Sequence, residues 1–326
     1  MKETISIKDI KGIRIGQTED PGGGTGCTVF LSEAGMAAGM DVRGGGPASR
    51  ESELLKPLAA AQEIHAIVLA GGSAFGLGAA DGVMQYLEER GIGFDVGVTK
   101  VPLVCQSDLF DLTVGDPGAR PDRAMGYEAC LRAEEENYRD GNYGAGCGAT
   151  VGKFAGMDYC MKSGIGSCAL QVGELQVGAV VAVNALGDIY DWRSGQKLAG
   201  LLAEDRRSFR RTEDLMYADT RTVENKFTGN TTIGVVITNA DFQKASLCKI
   251  AGMAHDGYAR SIRPVHTTAD GDSIYAVSVR DAEGKKVSAD QDLVGTLAAE
   301  VMSEAITAAV KSARSAYGLP AWEDIS

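Results

Sequence analysis

Three short, glycine-bounded apolar runs decide which class of fold is open to this chain. Ala66 to Ala70 (AIVLA), Val177 to Asn184 (VGAVVAVN) and Thr231 to Thr238 (TTIGVVIT) are rich in Val, Ile and Ala and lack the polar alternation of a half-exposed strand. Such runs predict central strands covered on both faces. Helical patterns lie between them. One runs from about Ala74 to Arg90 and is stopped by Gly91; a second extends from an N-cap at Asp241 to about Arg260. A third is capped by Asp290 or Asp292 and carries Leu293, Leu297, Val301, Ile306 and Val310 at helical spacing. Strands mixed with helices in both halves predict an α/β or α+β class with layered sheets. No repeat, Pro-rich linker or like-charge block divides the 326 residues, so a single domain is expected, with Lys197 to Phe227 (containing EDRRSFRRTED) as a surface segment or insertion.

Composition narrows the function classes. Glycine supplies 43 of the 326 residues, well above the usual share of roughly 7%, but without a triplet period and among apolar runs, which excludes collagen and disorder. The formal charge of -12 argues against nucleic acid, which needs clustered Lys and Arg. Seven cysteines, an odd number with no C-x-x-C pair, predict reduced thiols. Met1 to Ile10 lacks the apolar core of a signal peptide, and no stretch approaches the roughly 20 apolar residues of a membrane span. A cytoplasmic protein is expected.

Several motifs fail on spacing. Gly146 to Lys153 (GCGATVGK) has Cys147 and Phe154 where a phosphate loop needs glycine and Ser or Thr. Val68 to Gly78 (VLAGGSAFGLG) holds no dinucleotide fingerprint, and Ser73 is not in a G-x-S-x-G elbow. His65, His255 and His266 show no metal-ligand spacing, so neither a metal site nor a histidine triad is expected. Gly229-Asn230-Thr231-Thr232 by itself reads as a turn entering a β-branched strand.

Taken in order, however, GGGTGCTV (Gly22 to Val29), RGGGPASRESELL (Arg43 to Leu55), LAGGSAFGLGAADGVMQYLEERGIGF (Leu69 to Phe94), GAGCGATVGK (Gly144 to Lys153), VGAVVAVNALGD (Val177 to Asp188), NTTIGVVITNA (Asn230 to Ala240) and AHDGYARSIRPVHTTADGD (Ala254 to Asp272) resemble the DmpA-type L-aminopeptidase/D-esterases. That family also includes β-peptidyl aminopeptidases and relatives acting on pantetheine or nylon oligomers. The resemblance implies an αββα four-layer sandwich of the N-terminal-nucleophile kind, usually a homotetramer. It further implies a precursor that cuts itself between Asn230 and Thr231 into a large chain, 1–230, and a small chain, 231–326.

The implied chemistry is economical in residues. An N-terminal threonine supplies a hydroxyl nucleophile and, in its own α-amine, the base that activates it. Asn184, ending VVAVN, and Lys153, in GATVGK, match family positions that polarise the oxyanion; Asp270 and Asp272 match the pair that hydrogen-bonds the nucleophile and its amine. Asp270 stands where aminopeptidase members often carry Ser, which groups the chain with the threonine-type branch. No cofactor is implied. The expected activity is hydrolysis of small peptides or amides. The alternatives are an amidase for non-peptide amides, pantetheine-like or nylon-oligomer-like, and a catalytically silent ligand-binding relative.

Overall fold

The computed structural model describes residues 2–218 and 229–325, so the proposed surface segment is described only as far as Ala218. Ten strands are hydrogen-bonded into one network: β1 Lys2–Ile5, β2 Arg14–Asp20, β3 Thr25–Val42, β4 Ala48–Arg50, β5 Ile64–Ala70, β6 Val104–Asp108, β7 Ile165–Val172, β8 Leu175–Asn184, β9 Thr231–Thr238 and β10 Ser273–Ser278. Their order is β1-β7-β8-β9-β10-β3-β5-β6-β4, with β2 also on β3. The 18-residue β3 serves two sheets: residues 37–42 pair with β10, whereas residues 25–31 pair with β2 and 27–31 with β5. Its register with β5 slips between Leu31 and Met36, where the strand passes from one sheet to the other.

Side-chain alternation along these strands builds three apolar layers. Phe30, Ile67, Leu69, Val180, Ile233, Val235, Ile237 and Val277 fill the space between the sheets. Val29, Leu31, Ala66 and Val68 face α1 Ala79–Glu89 and α2 Arg123–Glu134, meeting Val83, Tyr86 and Ala129. Ala179, Val181, Val183 and Val236 face α3 Lys244–Ser261 and α4 Gln291–Ser312, meeting Leu247, Ile250, Val301 and Ile306. The result is an αββα four-layer sandwich, and strands buried on both faces are why the runs read from sequence are continuously apolar.

Glycine is needed where helices lie directly on strands. A Cβ on Gly166 of β7 would stand 2.2 Å from the Ala309 nitrogen of α4, and one on Gly39 of β3 would stand 2.3 Å from the Cys248 nitrogen of α3. All seven cysteines are free thiols.

Three boundaries differ from the sequence reading. Ser73–Gly78 is 3-10 helix and α1 begins only at Ala79. Asp241 does not cap α3, because its N–H is bonded to the Val287 carbonyl in an extended segment; the helix starts after Gln243. Asp290 does cap α4, accepting from Asp292 and Leu293 N–H at 3.0 Å each, but Leu293 is exposed and the buried stripe begins at Val294. The α4 helix is long and apolar enough to span a membrane by composition, yet most of it lies in the core against α3, β7 and β8.

Candidate active site

The sheet brings distant residues together because β9 is antiparallel to β8 and parallel to β10. Thr231, first residue of β9, is therefore opposite Asn184, last residue of β8. The Asp270-Gly271-Asp272 turn leads into β10 at the same end, where Asp270 bridges Asn230. The Arg43–Gly46 backbone braces that turn: Arg43 and Gly44 N–H donate to the Asp272 carbonyl at 3.0 and 3.2 Å, and Gly46 N–H to that of Asp270 at 2.9 Å. A Cβ on Gly44 would lie 2.3 Å from the Asp272 nitrogen and one on Gly45 2.7 Å from the Thr268 Cα, which explains the first two glycines of the R-G-G-G run. Thr231, Asn184, Lys153, Asp270 and Asp272 are all buried here.

The Asn230–Thr231 peptide is continuous, and its carbonyl is already polarised. The Thr231 hydroxyl donates to the Asn230 carbonyl oxygen, which also accepts the Gly271 N–H at 3.0 Å. That N–H is a backbone donor aimed where charge develops when a hydroxyl attacks this carbonyl. Gly271 must be glycine, since a Cβ would stand 2.7 Å from the Thr231 Oγ1 and 2.8 Å from the Gly46 carbonyl oxygen. Gly229, one residue before the bond, turns the chain with φ +62°, and a Cβ there would lie 1.9 Å from the Phe110 ring.

Lys153 and Asn184 act as a unit. Asn184 Oδ1 accepts from Thr150 N–H at 3.0 Å, Thr150 Oγ1 at 3.2 Å and Lys153 Nζ at 2.7 Å. A backbone N–H and an ammonium only donate, so the side-chain oxygen must be the atom they meet. Asn184 Nδ2 is thereby turned to the carbonyls of Phe110 at 2.9 Å and Gly229 at 3.4 Å; Lys153 Nζ also reaches Gly229 at 3.2 Å. Burial lowers the Lys153 pKa to about 7, against the raising fields of Asp270, Asp111 and Asp272.

Sequence reasoning expects this pair at the oxyanion. In the continuous chain both groups hold the carbonyl one peptide earlier, while Gly271 serves the carbonyl of the Asn230–Thr231 bond. The register explains the offset: Asn184 is level with Thr231, so its side chain reaches the turn preceding the bond.

The carboxylates likewise hold the frame around Thr231. Asp272 Oδ1 accepts from Thr232 N–H at 2.8 Å. Asp272 Oδ2 meets His266 N–H at 3.1 Å and His266 Nδ1 at 2.8 Å. Asp270 accepts from Thr267 N–H at 3.0 Å and from Leu186 N–H at 3.4 Å. Burial, with the charge of Asp272 adding, raises the Asp270 carboxyl to about 6. The sequence expectation was that these acids bond the hydroxyl and amine of Thr231. Here the Thr231 hydroxyl is on the Asn230 carbonyl, and the acids bond the residues around Thr231.

Two contributors escaped the sequence reading. The Gly271 N–H has no side chain to signal it. His266 pairs with Asp272 six positions away through a tight loop in which its own φ is +57°, a spacing that matches no histidine motif.

Comparison with known proteins agrees with this architecture. The family model of Peptidase family S58 matches residues 6–321. The chain is similar to an uncharacterized aminopeptidase of Mycobacterium tuberculosis, at 38% identity over 98% of this chain and 97% of the other. It is also similar to a 6-aminohexanoate-oligomer endohydrolase of Paenarthrobacter ureafaciens, at 30% identity over 93% and 85%. Among solved structures it superposes on the L-aminopeptidase D-Ala-esterase/amidase of Ochrobactrum anthropi, a variant of the N-terminal-nucleophile hydrolase fold, with TM-score 0.68 at 17% identity, covering 94% and 86%. A Burkholderia sp. β-aminopeptidase gives TM-score 0.67 at 19% identity, covering 96% and 88%. With the family pattern running through nearly its whole length, the chain belongs to peptidase family S58 and is a hydrolase.

Proposed function

We propose that this hydrolase matures by cutting its own Asn230–Thr231 bond and then uses Thr231 as an N-terminal nucleophile on the amide bonds of small peptides or related amides. The observation that carries the reading is the placement of the Thr231 hydroxyl on the Asn230 carbonyl, opposite the Gly271 N–H. In maturation the hydroxyl oxygen bonds to the Asn230 carbonyl carbon, the C–N bond breaks, and the Thr231 nitrogen leaves as an amine carrying the proton. Water then hydrolyses the ester, giving an Asn230 carboxylate and a free Thr231.

In turnover the amine takes the hydroxyl proton as the oxygen attacks the substrate carbonyl, and returns it to the departing amine. Water releases the acyl group from Thr231. Once Gly229 no longer occupies them, Lys153 and Asn184 Nδ2 are donors facing the acyl side of the site. Relatives named as an aminopeptidase and as an oligomer endohydrolase both fit amide hydrolysis, which supports this reading.

Intact-mass analysis tests it. Wild type should resolve, once denatured, into two chains divided after Asn230; Thr231→Ala should stay whole and Thr231→Ser should still cleave. A single wild-type mass after prolonged incubation sinks the proposal. The second reading, an amidase indifferent to amines, is favoured instead if hydrolysis needs no free amine in the acyl group.

A further inference from the structure

The loop from His266 to Asp272 carries strain and buried polar atoms that the reaction as described does not use. His266 adopts φ +57°, a left-handed conformation that costs a residue with a Cβ. The bend brings two donors of one residue to one oxygen: the His266 N–H and its ring Nδ1 meet Asp272 Oδ2 at 3.1 and 2.8 Å. Asp272 is 1% exposed, and its other oxygen accepts from Thr232 N–H at 2.8 Å. Among the described residues, His266 thus supplies two of the three hydrogen bonds to the carboxylate that holds the peptide following Thr231.

Nothing competes with Asp272 for the ring. His266 Nε2 is buried without a hydrogen-bond partner among the described residues, and so are His255 Nδ1 and the Tyr258 hydroxyl. Both neighbours come from α3 and are fully buried. The His255 ring crosses that of His266 at 75° with centroids 4.7 Å apart, and Tyr258 stacks on it at 5.9 Å. His255 Nε2 faces the Asp41 carbonyl at 3.1 Å; a carbonyl only accepts, so the hydrogen is on Nε2 and Nδ1 offers His266 no donor. Burial lowers the His255 pKa to about 4, which keeps that ring uncharged. A carboxylate also only accepts, so His266 Nδ1 carries a hydrogen, and the ring is fixed in place by Asp272 and by α3.

We propose that His266 is a positioning residue for the reaction of Thr231: by fixing Asp272 Oδ2 it keeps Oδ1 on the Thr232 N–H, and so sets the plane of the Thr231–Thr232 peptide from which the nucleophilic hydroxyl projects. The proposal rests on the reading of Thr231 as the nucleophile. Attack needs the oxygen about 3–3.5 Å from its carbon and aligned with it, and a misplacement of about 1 Å costs on the order of a hundredfold. A residue that acts through Asp272 should therefore change the rate of attack and leave substrate affinity alone.

The test compares His266→Asn with His266→Gly. Both residues accept a positive φ, but only Asn keeps an N–H on an atom bonded to Cγ, as Nδ1 is. On L-alanyl-p-nitroanilide, processed His266→Gly should lose about tenfold or more in kcat with KM within about threefold, and His266→Asn should return kcat to within about threefold of wild type. Asn as slow as Gly, or a loss confined to KM, overturns the proposal. Hydrogen exchange of the Thr232 N–H, followed by NMR in uncut Thr231→Ala, separates this outcome from failure of the nucleophile reading. In that background His266→Gly should speed the exchange at least about tenfold and His266→Asn by less than about threefold. That order upholds the positioning role even where the anilide is left whole, and equal rates in the three proteins overturn it whether or not Thr231 is the nucleophile.

Discussion

Lys153 and Lys162 are buried in the same part of the sandwich, and burial lowers the pKa of each to about 7. Their partners differ. Lys162 directs its donors at the backbone carbonyls of Gly146, Ala149 and Ser163, tying one loop to itself. Lys153 directs its donors at Asn184 and at Gly229, one residue from the bond assigned to self-cleavage. Depth and a displaced pKa thus fail to separate Lys162 from the lysine proposed to act in the site. The acceptors differ, and they carry the proposal.

Lys153→Met provides the harshest test of that contrast. In processed enzyme it should lower turnover about a hundredfold or more, as expected for losing a donor beside the reacting carbonyl, while Asn184 Oδ1 keeps its two Thr150 donors and the fold survives. Unchanged turnover would erase the distinction between the lysines. Gly271→Ala extends the same logic to a second neighbour of the bond. With a Cβ 2.7 Å from the Thr231 Oγ1, self-cleavage followed by gel densitometry should slow at least about tenfold, and wild-type kinetics would show that the turn yields freely.

Lys162→Met should show the opposite signature. It takes one donor from each of three carbonyls, of which those of Gly146 and Ala149 keep the N–H groups of Ala149 and Ser163; a loss on the order of 1–3 kcal/mol is expected, so the melting temperature should fall by several degrees. Turnover per folded molecule should stay within about threefold; a larger kinetic than thermal effect would place Lys162 in the catalytic class.

The smallest effect is a slope. In uncut Thr231→Ala, each lysine has a folded pKa of about 7 against an unfolded value of about 10.4. The unfolded state therefore binds more protons between those values, and stability should rise from pH 7 to 10. Either lysine changed to Met should remove its share of the rise in pH-dependent urea unfolding, and an unaltered slope would show that neither titrates in that window. Asp270 acts elsewhere: its raised pKa of about 6 gives a contribution that is full below about 3.9 and lost as pH climbs to 6.

Strand cores were legible in the sequence because periodicity reports burial. Thr231–Thr238 was delimited without error, and Val177 to Asn184 missed only the first residues of β8. Helix starts were less legible, since an Asp such as Asp241 looks like a cap whether its N–H is free or bonded to a neighbouring strand. The five site residues came from family resemblance rather than from periodicity or spacing, and the sheet register brings them together. What no sequence pattern carries is backbone chemistry: the Gly271 N–H, and the carbonyl that Lys153 reaches, follow from register and turn geometry. His266 was set aside for want of a histidine motif, and only the fold of its loop puts it on Asp272.

The position of β9 has a consequence for how the protein comes apart. Strands β9 and β10 lie inside the network, between β8 on one side and β3 on the other, while α3 and α4 close over one face. A break before Thr231 leaves every one of those pairings in place, yet it changes the molecularity of unfolding. The uncut chain unfolds as one molecule and refolds at a rate independent of concentration. After the cut, unfolding releases two fragments, so the midpoint gains a dependence on protein concentration and reassembly becomes second order. Maturation would act as a ratchet: easily reached from the intact chain, and retraced with difficulty by dilute fragments.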